Sequence, residues 1–250
     1  MQKMNRNIIN TLDEYIYYFD KEWKDRCKPS SISAINKLKK YTKMDLFDLN
    51  FPDAFVEFVC FAGEDDGGLL SAINGKICIS ELVSLNQDMY ENWEEDINPM
   101  EFEFMLDEIG IPYLINLNDS SKIWYENECA VSSSFENFLM QCAVRKYEKT
   151  RFKNQVSLSF KNFSPGNNEP EEIIFLKERL TDKLRLNIQS YSDEYFWFAK
   201  SSEISIYIRK NSYNKSLRYI GALFYEKECH LPNILDITKK VNCCNVEIKK

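Results

Sequence analysis

Leu49-Asn50-Phe51-Pro52-Asp53-Ala54-Phe55-Val56-Glu57-Phe58-Val59-Cys60-Phe61-Ala62-Gly63 carries the clearest start and stop signals in the chain. Asn50 reads as an N-cap, Pro52 falls in the first turn, and Asp53 lies three residues after the cap. Phe55, Phe58, Val59 and Ala62 then recur at the spacing of one helical face. Gly63 follows in the position where helices commonly stop. Beyond it the pattern turns strand-like. Leu69–Ile73 and Lys76–Ile79 read as two strands paired across Asn74-Gly75, a favoured hairpin turn. Ser80-Glu81-Leu82-Val83 reads as a short helical turn.

Helical periodicity extends outward on the N-terminal side. Ile8, Ile9, Leu12, Tyr15, Ile16, Phe19 and Trp23 predict one helix over 6–26. Ile32, Ile35 and Leu38 predict a second over 31–41. On the C-terminal side, 86–108 interleaves acids with aromatics and reads as a helix and then a strand. Ile111–Leu117 and Lys122–Glu126 read as strands joined by Asn118-Asp119-Ser120-Ser121. Ser133-Ser134-Phe135-Glu136 has the form of a capping box and opens a helix to about Arg145.

A second region begins near 150. A strand at Val156–Phe160 precedes a Pro/Gly/Asn loop, and Pro170 opens a helix to about Asp182. Strand-like runs follow at Leu184–Gln189, Tyr195–Ala199, Ile204–Arg209 and Leu217–Tyr225. Pro232 opens a last helix, and Val246–Ile248 reads as a final strand. Antiparallel strands segregated from helices give an α+β class. The domains expected are 1–148, with a flanked antiparallel sheet, and a smaller α+β domain over 149–250.

The chain has 250 residues, 44% hydrophobic and 28% charged, with a net charge of −7. That composition is globular rather than disordered. No apolar run reaches the length of a membrane helix, and the first 30 residues lack the parts of a signal peptide. A soluble, cytoplasmic protein with no membrane partner is therefore expected. The eight cysteines then read as free thiols, and without a CxxC pair no zinc ribbon is expected. Cys243-Cys244 is vicinal, one thiol expected buried and one exposed. No Gly-rich phosphate loop is present, and no cofactor or metal is expected. His230 is the single histidine, so any His-dependent chemistry must use it, and pairing with the adjacent Cys229 is a poor geometry for catalysis.

The charge is unevenly placed. Residues 1–150 carry −12 and residues 151–250 carry +5. Between Asp45 and Glu136 stand 21 acidic residues and only two basic ones, Lys76 and Lys122. Like charges at that density repel and weaken a fold, so a basic partner is a reason for keeping them. The candidate partner-binding residues are Asp65, Asp66, Tyr90, Glu91, Trp93, Glu94, Glu95, Asp107 and Glu108, with Tyr90 and Trp93 as aromatic anchors. A plain solvated surface is the competing reading. So is a turn at Gly63-Glu64-Asp65-Asp66-Gly67-Gly68, whose acids also raise the alternative of a metal hydrolase. The basic C-terminal region, with Lys200, Arg209, Lys210, Lys215 and Arg218 near Tyr207, Tyr213 and Tyr219, reads as a solvated or docking face, with nucleic acid an unfavoured partner.

The order of these motifs resembles the SUKH superfamily, also called the cell-wall-assembly-regulator-like family, over residues 30–145. The residues that carry it are Leu49–Phe58, Gly75-Lys76-Ile77-Cys78-Ile79-Ser80-Glu81-Leu82, Ile111-Pro112-Tyr113 and Val131–Leu139. The family's Gly-Gly pair after the first helix is replaced here by Ala62-Gly63, with Gly67-Gly68 following later. The family's Gly/Asp-rich strand before the last hairpin is not evident, and the C-terminal region has no counterpart. The resemblance implies a binding module without catalytic residues. It implies a bacterial immunity protein that neutralises a cognate protein toxin, with a basic nuclease-type effector fitting the acidic stretch. A regulatory or scaffold protein of the same fold, binding a cellular partner, is the alternative.

Overall fold

A computed structural model describes residues 7–92, 97–125, 129–160, 169–210, 219–240 and 244–249. The chain divides into two compact units, Met1–Tyr147 and Glu148–Lys250. The class is α+β, with helices segregated from antiparallel sheets.

The first unit opens with helix α1 (Ile8–Ile16), capped by Asn7, whose side chain accepts from the Asn10 amide. The single helix expected over 6–26 is broken. The Ile16 carbonyl accepts from both Phe19 and Asp20, and the chain turns before the short α2 (Trp23–Arg26). The break lets Trp23 return to the core, where its indole donates to the Asp66 carbonyl at 2.9 Å. Strand β1 (Cys27–Lys28) pairs with β2 (Asp65–Asp66). Helix α3 (Ile32–Tyr41) buries Ile35 and Leu38, but Ile32, expected on the same face, is 62% exposed.

Helix α4 (Asp53–Ala62) starts with Pro52 at the cap position. Asn50 is not the cap; its side-chain oxygen accepts from Lys39 Nζ instead. Gly63 ends the helix for a steric reason rather than for a left-handed conformation. Its φ is −78°, and a Cβ there would stand 2.3 Å from the Val59 carbonyl oxygen. The expected hairpin across Asn74-Gly75 is not formed. Leu69–Ile73 is a 3-10 helix that buries Leu69, Leu70 and Ile73, and Asn74 closes it in the left-handed region. Strand β3 (Gly75–Lys76) pairs with a later strand instead. The Ser80–Val83 turn belongs to a longer helix, α5 (Ile79–Asn92).

Strands β4 (Glu101–Asp107), β5 (Pro112–Asn116), β6 (Lys122–Tyr125) and β7 (Cys129–Ser132) follow. They extend β3 into a five-stranded antiparallel meander in sequence order. One face carries Phe102, Phe104, Tyr113, Ile115, Ile123 and Tyr125, all buried. This face packs on α4 and on α6 (Phe135–Arg151): Phe55 meets Phe135 at 5.3 Å, and Phe104 meets Phe138 at 5.5 Å. Tilted and edge-to-face rings of this kind add to the burial of their area. At the start of α6, Ser134 Oγ accepts from the Asn137 amide, so the cap is formed one residue later than the Ser133/Glu136 box predicts.

The second unit is built on a six-stranded antiparallel sheet. Its strands are β8 (Asn154–Phe160), β9 (Asn187–Ile188), β10 (Phe196–Lys200), β11 (Ile204–Lys210), β12 (Tyr219–Tyr225) and β13 (Cys244–Lys249), in the spatial order β13-β8-β12-β11-β10-β9. Leu184, expected to open a strand, instead ends helix α7 (Glu171–Leu184). Helices α7 and α8 (Leu231–Lys239) cover one sheet face through Ile173, Leu176, Leu180, Ile234 and Ile237. The vicinal thiols, the Ser164–Asn168 loop, Tyr213, Lys215 and Arg218 lie outside the residues or side chains described. No helix among the described residues is long and apolar enough to cross a membrane.

Candidate functional site

The acidic residues of the first unit fall into two groups, those that hold the fold and those that face outward. Asp66 and Asp107, both named as candidate contact residues, are buried and belong to the first group. Asp66 is 4% exposed. Its Oδ2 is buried and has no hydrogen-bond partner among the described residues. Burial raises its pKa, and the nearby backbone amides of Leu70, Gly68 and Leu69 offset the rise only in part. Asp107 is 8% exposed. Its Oδ1 accepts from the amides of Ile109 and Ile111 at 3.0 and 2.9 Å, and its Oδ2 accepts from the Tyr125 hydroxyl at 2.9 Å. With both oxygens engaged, Asp107 fixes its turn and has little left to offer a second protein, while Asp66 is withheld by burial alone.

The Glu64-Asp65-Asp66 turn is likewise turned to structure. Asp65 Oδ1 accepts from the Gly67 amide at 3.0 Å, and Lys146 Nζ reaches the Gly68 carbonyl at 2.7 Å. Glu64 takes Ser30 Oγ on one oxygen at 2.7 Å and Ser80 Oγ on the other at 2.6 Å. Burial opposes ionisation of Glu64, but the bonds from Ser80, Ser30 and Cys78 outweigh it and hold its carboxyl below the usual range. Its charge therefore sits at the N-terminus of α5, where the helix dipole favours it. No group of three or more His, Cys, Asp or Glu side chains among the described residues is placed to hold a metal ion. In the second unit His230 Nε2 lies 2.9 Å from Glu203 Oε2, while Cys229 is exposed.

Helix α5 carries the outward group. Only Ile79 and Leu82, near its start, are buried. Past them Leu85 and Met89, one turn apart, are 50% and 41% exposed. Asp88 and Glu91 are exposed beside them. Their partners are neutral: Asn92 donates to Asp88 Oδ1 at 3.0 Å, and Gln87 donates to Glu91 at 2.8 Å. The last turn of α5 has no basic residue. Tyr90 is half-buried and meets Tyr41 with ring centroids 5.7 Å apart, which ties this end of α5 to α3. Glu108 is exposed in the β4–β5 turn and accepts from Asn74 at 2.7 Å. Trp93, Glu94 and Glu95, which follow Asn92, lie outside the described residues.

The sequence reading missed the sheet face opposite the aromatic core. The register places Glu103, Leu114 and Trp124 in one row across β4, β5 and β6, and Glu101, Asn116 and Lys122 in the next. Glu101, Leu114, Asn116 and Trp124 line a hollow of about 340 Å³. The Glu-Phe-Glu-Phe alternation at 101–104 was the available signal, but the strands opposite it decide which side chains share the hollow.

No protein-family model matches the chain, and no curated protein matches it.

Proposed function

We propose that the first unit is a protein-binding module that captures a basic partner. On this reading the chain acts by binding rather than catalysis, as a SUKH-type immunity protein that neutralises a cognate bacterial toxin of nuclease type. The observation that carries the reading is the C-terminal end of α5. A helix C-terminus carries partial negative charge, and acids placed there cost stability. Among the described residues, Asp88 and Glu91 at that end have neutral hydrogen-bond partners only, beside exposed Leu85 and Met89. The chain keeps an arrangement that its own fold disfavours, and an external basic surface would relieve it. Apolar side chains rimmed by acids form a desolvated contact with an electrostatic guide around it.

The test uses the full chain and the protein encoded by the adjacent reading frame. Association is followed by stopped-flow fluorescence as a function of salt. Asp88→Lys with Glu91→Lys is expected to slow association by about tenfold at low salt and to flatten its salt dependence. Cells expressing the neighbouring protein should lose protection with the same variant. An unchanged on-rate would remove α5 from the interface, and an absence of binding by the native chain would refute the toxin reading.

A further inference from the structure

The hollow on the outer face of the five-stranded sheet has chemistry of its own. Its floor is Leu114, which is buried, and one wall is the half-buried Trp124. The Trp124 Nε1–H is buried and donates to nothing among the described residues. The indole ring, not this enclosed N–H, is what Trp124 presents to the hollow. On the other wall, Glu101 receives a bond from Asn116 Nδ2 on Oε1 at 2.6 Å. That bond orients the carboxylate, and no described cation pairs with it. Glu103 is in the row of Leu114 and Trp124. The crowding around its carboxyl raises its pKa, as expected of an acid with no cation beside it. Lys122, the cation of the neighbouring row, is held by Asp119 at 3.1 Å.

We propose that this hollow receives an arginine side chain presented by a protein partner. The guanidinium would lie against the Trp124 ring and pair with the Glu101 and Glu103 carboxylates. Arginine fits better than lysine because its planar, weakly hydrated head both stacks on indole and pairs with carboxylate through parallel hydrogen bonds. The choice of a protein as the source of the arginine rests on the function proposed for the first unit. It is argued from charge complementarity, since 21 acids and two bases lie between Asp45 and Glu136. The chemistry of the hollow stands apart from that choice.

The experiment titrates the full, 15N-labelled chain with N-acetyl-arginine methylamide and follows the Trp124 indole resonance, assigned with Trp124→Phe. Saturable movement of that resonance is expected. N-acetyl-lysine methylamide should bind several-fold more weakly, and Glu101→Gln, which keeps an acceptor for Asn116, should weaken arginine binding by about tenfold. Glu103→Gln should weaken it as well. No movement of the Trp124 resonance up to about 100 mM blocked arginine would overturn the site, because even millimolar binding would be saturated there. Equal binding to native chain and Glu101→Gln would also overturn it. Free arginine binding far more tightly than the blocked form would replace protein docking with a small-molecule site. The probe contains no toxin, so failure of toxin binding refutes the proposed function and leaves this result standing. Failure of the blocked arginine refutes this site alone.

Discussion

Asp107 separates an acid that holds the fold from an acid that meets a partner. Replacing it with alanine removes two amide bonds to Oδ1 and takes an acceptor from the buried Tyr125 hydroxyl. The amides of Ile109 and Ile111 lie in a turn with exposed neighbours, where water replaces most of what is lost. The loss at the hydroxyl weighs more, because a buried donor deprived of its acceptor costs about 1–3 kcal/mol. The expected loss for Asp107→Ala is therefore about 3 kcal/mol. Asp107→Asn keeps an acceptor for the two amides and presents an amide donor to a hydroxyl that can accept it, so about 1 kcal/mol is expected. Tyr125→Phe should lose about 1–2 kcal/mol, and its cycle with Asp107→Ala should show coupling of similar size. The assay is equilibrium unfolding in urea followed by tryptophan fluorescence. A Trp197→Phe background is used so that emission comes from the first unit, since two units can unfold in two transitions. If alanine and asparagine variants both unfold with the native midpoint while partner binding falls, Asp107 is a contact residue and the reasoning fails.

Three further outcomes follow from the same structure. Asp66 has a folded pKa above its unfolded value, so its protonation favours the fold; that contribution is full below the unfolded pKa and is lost as pH rises through the folded pKa. Asp66→Asn should thus be at least as stable as the native chain at pH 7.5, its advantage shrinking as pH falls towards 5 in thermal melts; an advantage that grows on acidification would contradict the burial argument. A Cβ at Gly221 would sit 2.7 Å from the Tyr207 carbonyl oxygen in the neighbouring strand, whereas at Gly75 it meets the flexible Met105 side chain. Gly221→Ala should therefore cost about 1–3 kcal/mol and Gly75→Ala less, with equal melting shifts refuting the distinction. Cys229 is exposed, while burial, with Asp66 and Asp65 nearby, pushes the Cys27 thiol up to about 12. A disulfide reagent followed by mass spectrometry should modify Cys229 before Cys27, and Cys229→Ser should remove one fast-reacting thiol; prior labelling of Cys27 would refute it.

The α+β class was legible because amphipathic period and capping chemistry are local. The Phe55–Ala62 face, the helix start near Ser133-Ser134 and the strand at Ile204, Ile206 and Ile208 each express a few neighbouring residues. Local signals failed where a distant group competed. Asn74-Gly75 has the sequence of a hairpin turn, yet Leu69, Leu70 and Ile73 gain more by turning into the core as a 3-10 helix, and β3 finds its partner in β4. The break after Ile16 has the same cause, since Trp23 is drawn to the Asp66 carbonyl 43 positions away.

Charge followed the same division. Composition alone determined that 45–136 is strongly acidic with almost no counter-charge, because a sum over side chains needs no coordinates. Which acids are free to meet another molecule was decided by tertiary structure. Asp66 and Asp107 look no different in sequence from Asp88 and Glu91, but the first pair is buried, Asp107 against two amides and a tyrosine hydroxyl, and the second stands in solvent. The hollow at Trp124 is the extreme case. Its four lining residues come from three strands, and only the pairing register of β4, β5 and β6 puts the Trp124 ring and the oriented Glu101 carboxylate in one hollow.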